Sequence, residues 1–235
     1  MSIKAILFDL DGTLLPMDQE LFTKTYLKSL AISLTQYGYE PNSLIEAVWT
    51  GTIAMMKNNG NKTNEEMFWD TFTSILGKKT EEDISKFDKF YKEEFDKIQA
   101  VCGQNPESAN LIKFLKERGY TLALATNPLF PTIATHKRTQ WAGLNPSDFQ
   151  LITTYENSRY CKPNLNYYLN ITEKLSVDPT ECLMVGNDVT EDMVASKIGM
   201  KVFLLTDHIL NSENIDTTNI PQGSFSDLKN YILSL

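Results

Sequence analysis

The fold class this sequence predicts is α/β: a Rossmann-like, doubly wound parallel sheet with an inserted all-helical cap domain. Three observations predict it. Short apolar runs without polar alternation recur along the chain, as in strands buried on both faces. Helix-length amphipathic stretches separate most of them. One long segment near the start breaks the alternation and reads as helices alone.

The first run, residues 4–8 (Lys-Ala-Ile-Leu-Phe), ends in Asp9-Leu10-Asp11-Gly12-Thr13. Similar runs follow at 121–125, 182–185 and 201–205, with a weaker one at 149–152. Helical stretches at 107–118, 131–142, 164–175 and 190–198 lie between or beside them, the first ending at Arg118-Gly119 and the last at Gly199. From about 18 to 99 there is no strand-like run. Helices are expected at 19–36, 42–57, 64–76 and 81–99, punctuated by Pro41, Gly60 and Gly77, with Asn64 and Thr80 as caps of the helices they precede. The chain therefore divides into a core, 1–16 with 103–235, and a helical cap, 17–102. Residues 211–223 read as a loop and 224–235 as a closing helix.

With 235 residues, 42% hydrophobic and 22% charged, the chain can build a sizeable core. A net charge of −8 disfavours nucleic-acid duplexes and anionic membranes as partners. An anionic substrate must then be drawn in by a local positive site. Cys102, Cys161 and Cys182 form no pair-like motif and read as small buried hydrophobes. No signal-peptide pattern or membrane-spanning run is present, and a cytoplasmic location is expected. Monomer and homodimer are equally open.

The carboxyl ends of strands in such a sheet face the ligand crevice. Asp9 and Asp11, two residues apart just past a strand, repel each other unless a cation lies between them. Mg²⁺ is the expected ion, because it takes a few carboxylates and keeps waters for a phosphate to replace. The plain alternative is a solvated acidic turn. Thr126-Asn127 follows the second core strand, where a hydroxyl and a helix start can donate to phosphate, or can simply cap a helix. Lys162-Pro163 places an ammonium at the same rim, or on the surface. Gly186-Asn187-Asp188, with Glu191-Asp192 just beyond, forms a second acidic cluster in which Asp188 could also be a plain capping residue. Four such sites at strand ends, in this order, are improbable as a chance pattern.

On these residues the chain resembles the haloacid-dehalogenase (HAD) superfamily, phosphatase branch. Asp9–Thr13 matches its first motif, and Thr126, Lys162 and the 186–192 stretch match its second, third and fourth. The resemblance covers the whole chain. It implies a Mg²⁺-dependent phosphomonoester hydrolase acting on a small phosphorylated metabolite through a phosphoaspartate on Asp9. It also implies Asp11 as general acid and base, with Thr126, Asn127 and Lys162 holding the phosphoryl group. Asp9, a backbone carbonyl at Asp11 and an acid of the fourth motif would ligate the metal. Here the residue directly after the motif's glycine is Asn187, and the acid follows as Asp188. Asp188 is favoured as ligand for its charge, whereas position alone favours Asn187. Asp192 is expected to act from behind, orienting Lys162 or a metal-bound water.

The dehalogenase branch lacks the acid that Asp11 supplies. The mutase branch uses a cap histidine, but His136 and His208 both lie outside the cap; Lys57, the lysine to propose for the phosphonate-cleaving branch, reads as a solvated helix end. A non-catalytic phosphate-binding protein on the same fold is the alternative from another class. Trp49, Met55, Met56, Met67, Phe68, Trp69 and Phe72 are expected to pack the cap, with one or two facing the site. Tyr155, Glu156 and Arg159 are further candidates for leaving-group contact. His136 and Arg138 are expected to face solvent.

Overall fold

The computed structural model describes residues 2–77 and 80–235. Six parallel strands form one sheet in the order β3-β2-β1-β4-β5-β6. They are β1 Ala5–Phe8, β2 Thr121–Leu124, β3 Leu151–Ile152, β4 Cys182–Gly186, β5 Lys201–Leu205 and β6 Gln222–Gly223. β1 is central, pairing in register with β2 (Phe8 opposite Leu124) and with β4 (Phe8 opposite Val185). The three segments that follow these strands therefore start at one level of the sheet.

Side chains alternate across the strands. Ile6, Phe8, Leu124, Val185 and Phe203 enter one apolar layer. Ala5, Leu7, Ala123, Met184 and Leu204 enter the other. Both layers are dry, which is why these strands read as continuous apolar runs.

Among the described residues, four helices follow β1 directly, α1 Gln19–Thr35, α2 Pro41–Met56, α3 Asn64–Leu76 and α4 Thr80–Glu93. Asp18 caps α1 by accepting from the Leu21 N–H, and Glu40 with Pro41 opens α2. The cap of α3 is Thr63, one residue before the expected Asn64, in a reciprocal capping box with Glu66. Asn64 is instead buried and engaged in tertiary contacts. The fourth expected helix does not run to 99. It gives way to a 3₁₀ segment, Phe95–Val101, whose three-residue turn sends both Phe95 and Ile98 into the core. The two links to the core lie side by side: Met17 bridges Cys102, and the Gly103 N–H donates to the Pro16 carbonyl at 2.7 Å.

The remaining helices are α5 Pro106–Glu117, α6 Thr132–Trp141, α7 Leu165–Leu175 and α8 Phe225–Ser234. The expected helix at 190–198 is a 3₁₀ segment over Met193–Ile198. β6 was missed because two residues give no periodicity to read. Among the described residues, no helix is long and apolar enough to cross a membrane.

Candidate active site

β1 is buried from end to end and stops at Phe8, after which the Asp9 N–H still donates to the Val185 carbonyl at 2.9 Å. The Asp9 side chain is thus fixed at the sheet's carboxyl edge, with the residue 7% exposed. Its Oδ1 accepts from Lys162 Nζ at 2.9 Å, and its Oδ2 faces the Thr13 hydroxyl at 3.0 Å. That hydroxyl also lies 3.0 Å from Asn187 Oδ1, so its one proton serves either acceptor. The turn that folds Thr13 back needs Gly12, which has φ +84° and where a Cβ would stand 2.4 Å from Asn187 Nδ2.

Lys162 is 2% exposed and bonds a second carboxylate, Asp192 Oδ1, at 2.6 Å. Burial alone would lower its pKa. Asp192 and Asp9 together outweigh that and hold it well above the ordinary lysine value. Asp192, expected to orient Lys162 or a metal-bound water, lies against the Lys162 ammonium. Gly186 makes room for it, since a Cβ there would collide with the Asp192 carboxylate.

Thr126 and Asn127 follow β2 and line the same cavity as Asp9, Asp11, Asn187 and Glu191, a space of about 210 Å³. Thr126 is held by its carbonyl, which accepts from Thr153 and Tyr167 hydroxyls at 2.7 and 2.9 Å. Asn127 Oδ1 accepts from the Lys162 N–H at 3.3 Å, and its Nδ2 donates to the Glu191 carboxylate at 3.1 Å. Burial pushes the Glu191 carboxyl up to about 7, against the pull of Lys162.

Asp188 and Asn187, the two candidate metal ligands of the loop after β4, sit differently. Asp188 Oδ1 accepts from the Thr190 and Glu191 N–H groups, each at 2.8 Å. That is the plain capping role. Asn187 stands directly at the end of β4, 2% exposed, its Nδ2 tied to the His208 carbonyl at 2.7 Å and its Oδ1 turned towards Thr13. Asn187 directly follows β4 and Asp188 begins the turn after it, and both line the cavity over Asp9.

The expectation that needs correcting is that of a solvent-facing Arg138. The residue is 1% exposed, and its Nη1 donates to Asp11 Oδ2 in an ion pair. Its guanidinium carbon lies 4.4 Å from the centre of the Phe130 ring. The signal was available: Ala134, Thr135, Arg138, Thr139 and Trp141 share one helical face, and all are buried. A charged residue in such a stripe needs a partner. Burial raises the Asp11 carboxyl above its ordinary value, with Arg138 opposing and Asp9 adding to the rise. Asp11 Oδ1, Arg138 Nε and Arg138 Nη2 are buried and have no hydrogen-bond partner in the protein.

The other candidates divide. Tyr155 is buried facing the helical insert, whereas Glu156 caps α6 through the Thr132 N–H and Arg159 donates to the Gly60 and Asn61 carbonyls. Of the insert residues, Met55, Phe68, Trp69 and Phe72 are buried, Met67 packs partly buried against them, and Trp49 and Met56 are half exposed.

Among the described residues, no cluster of three His, Cys, Asp or Glu side chains is spaced to hold a metal. The Asp9 carboxylate and the Asn187 amide oxygen converge, each 3.0 Å from the Thr13 hydroxyl. With the unpartnered buried Asp11 Oδ1, this all-oxygen set fits a hard cation such as Mg²⁺.

Residues 3–198 match the family model of haloacid dehalogenase-like hydrolases. The chain is 26% identical to the pyrophosphatase PpaX of Bacillus velezensis over 85% of its own length and 81% of that protein. A HAD phosphatase from Thermococcus onnurineus superposes with a TM-score of 0.59 at 19% identity, over 98% of each chain. YfnB from Bacillus subtilis, in a magnesium-bound structure that reveals interdomain movement, gives 0.55 at 18% identity over 99% of each.

Proposed function

Because this chain belongs to the haloacid dehalogenase-like hydrolases, we propose that it hydrolyses phosphomonoesters of small molecules, with Asp9 as the nucleophile. The observation that carries the reading is the clamped Asp9 carboxylate, bonded by Lys162 on one oxygen and by Thr13 on the other at the mouth of a cavity. A carboxylate fixed in this way attacks phosphorus from a defined direction, and the resulting acyl phosphate splits one displacement into two.

Lys162 keeps its charge through Asp192 and so can neutralise a phosphoryl oxygen as Asp9 is consumed. The Thr126 side chain, rooted through its carbonyl, is assigned to hold a second phosphoryl oxygen beside Asn127. Asp11 is assigned as the acid that protonates the leaving oxygen and then, as base, takes a proton from water. Its raised pKa suits the first of these duties. Arg138 fixes the direction of that carboxyl. Asp9, the main chain at Asp11 and the Asn187 amide oxygen would hold Mg²⁺, with Asp188 bracing the loop. When bound, Mg²⁺ supplies charge neutralisation for the phosphoryl group.

The test is release of p-nitrophenolate from p-nitrophenyl phosphate, with and without Mg²⁺. Turnover that needs Mg²⁺ supports the reading. Phosphate binding with no turnover would instead favour a binding protein on the same fold.

A further inference from the structure

A second cavity, of about 220 Å³, opens between the helical insert and the loop after β2. It shares Thr23, Met56, Leu129 and Phe130 with the cavity over Asp9, so the two are adjoining rooms. A phosphoryl group at Asp9 can therefore carry a substituent that reaches the second room.

The character of that room is unlike the first. Its walls are largely rings and aliphatic chains, among them Tyr26, Val48, Trp49, Phe68, Trp69 and Tyr155. Among the described residues, no lysine, arginine or histidine lines it, and the single charged residue in its walls is the carboxylate Asp88. Several polar groups in the walls are engaged, the Tyr26 hydroxyl meeting that of Tyr91 at 2.8 Å and the Thr52 hydroxyl donating to the Val48 carbonyl at 2.9 Å, whereas the buried Trp69 indole N–H has no hydrogen-bond partner in the protein. Trp49 and Met56 stay 53% and 50% exposed beside it. Large apolar side chains left half in water around a cavity are a surface kept for a ligand.

An anionic leaving group, such as a carboxylate or a second phosphate, would lose its water here with no cation among the described residues to replace it and Asp88 to repel it. An apolar group would gain by the same desolvation. A dry cavity of about 150 Å³ already accepts benzene. We infer that this cavity binds the leaving group of the substrate, and that the substrate is a phosphomonoester of an uncharged, apolar alcohol about the size of one substituted ring. The inference rests on the phosphatase reading above.

Benzyl phosphate and methyl phosphate both release an alcohol, so comparing them isolates the ring from the chemistry of ester cleavage. At fixed Mg²⁺ the expected kcat/KM for benzyl phosphate exceeds that for methyl phosphate by roughly ten- to a hundredfold, mainly through KM. Phosphoglycolate and pyrophosphate should do no better than methyl phosphate. Thr52→Phe, which fills the cavity, should erase most of the benzyl advantage. Trp49→Ala, at an exposed position where folding is not at stake, should reduce it several-fold. Equal values for the two esters, or a preference for phosphoglycolate or pyrophosphate, overturns the inference while leaving the phosphatase reading intact. Failure to hydrolyse any ester, p-nitrophenyl phosphate included, overturns that reading and this one with it.

Discussion

Asn187 and Arg138 are the residues at which physical detail changes the account. Asn187 brings a neutral amide oxygen to a position where a carboxylate would add a full charge beside Asp9. If it is the ligand, Asn187→Ala should raise the Mg²⁺ needed for half-maximal activity at least tenfold, and Asn187→Asp should lower it, since a carboxylate binds a hard cation more strongly. Asp188→Ala should act mildly, through the lost caps to Thr190 and Glu191. A larger shift for Asp188→Ala than for Asn187→Ala in the Mg²⁺ titration would return the ligand role to Asp188. Arg138 acts through Asp11. Arg138→Met should therefore lower kcat on alkyl phosphates by about tenfold or more, within the range of general acid–base catalysis, and much less on p-nitrophenyl phosphate, whose leaving group needs little protonation. Equal losses on both would assign Arg138 to packing alone.

At the scale of elements, strands β1 to β5 and the positions of Asp9, Thr126 and Asn187 were legible because a buried parallel strand leaves a continuous apolar run, and the residues just past it mark the crevice. What was not legible followed from side chains engaged across the fold. Asn64 looked like a helix cap, but it binds the Pro128 carbonyl at 3.2 Å and so ties the start of α3 to the core. Asp188 and Asn187 are adjacent in sequence, and the turn sends their side chains to different partners. The loop after β4 carries a further consequence. Glu191 titrates near 7 when folded against 4.5 ordinarily, because it is buried. A carboxyl raised in the folded state binds its proton more tightly there, so its stabilising share is complete below about pH 4.5 and is lost as pH rises to about 7. In metal-free protein, Glu191→Gln should flatten the fall in Tm over that window, and an unchanged slope would show that Glu191 ionises freely.

Across the whole molecule, the insert and the sheet share one apolar layer, running from Ile6 and Phe8 through Leu14, Phe22 and Phe95 to Trp69 and Phe72. Phe95 joins its halves: it is fully buried, stacks on Trp141 at 5.0 Å between ring centres, and meets Tyr26 and Tyr91 edge-on. Phe95→Ala should cost about 3–5 kcal/mol. Urea unfolding followed by tryptophan fluorescence and by far-UV circular dichroism should still give coincident transitions, because the insert cannot unfold without uncovering the core. Two separated transitions would mean that the insert is stable alone. This shared layer also explains why composition and helix spacing marked the insert's residues as packing, while the cavity it encloses beside the site became visible only in the fold.

The claim on which the rest depends is that Asp9 takes the phosphoryl group. The direct measurement is to mix the protein with Mg²⁺ and a phosphomonoester, quench within a turnover, reduce with borohydride, and map the modified residue by mass spectrometry. Reduction converts an aspartyl phosphate to homoserine, and the account predicts that product at position 9, absent in Asp9→Asn. Homoserine at another aspartate, or turnover of the ester with no modified carboxylate anywhere, would contradict it.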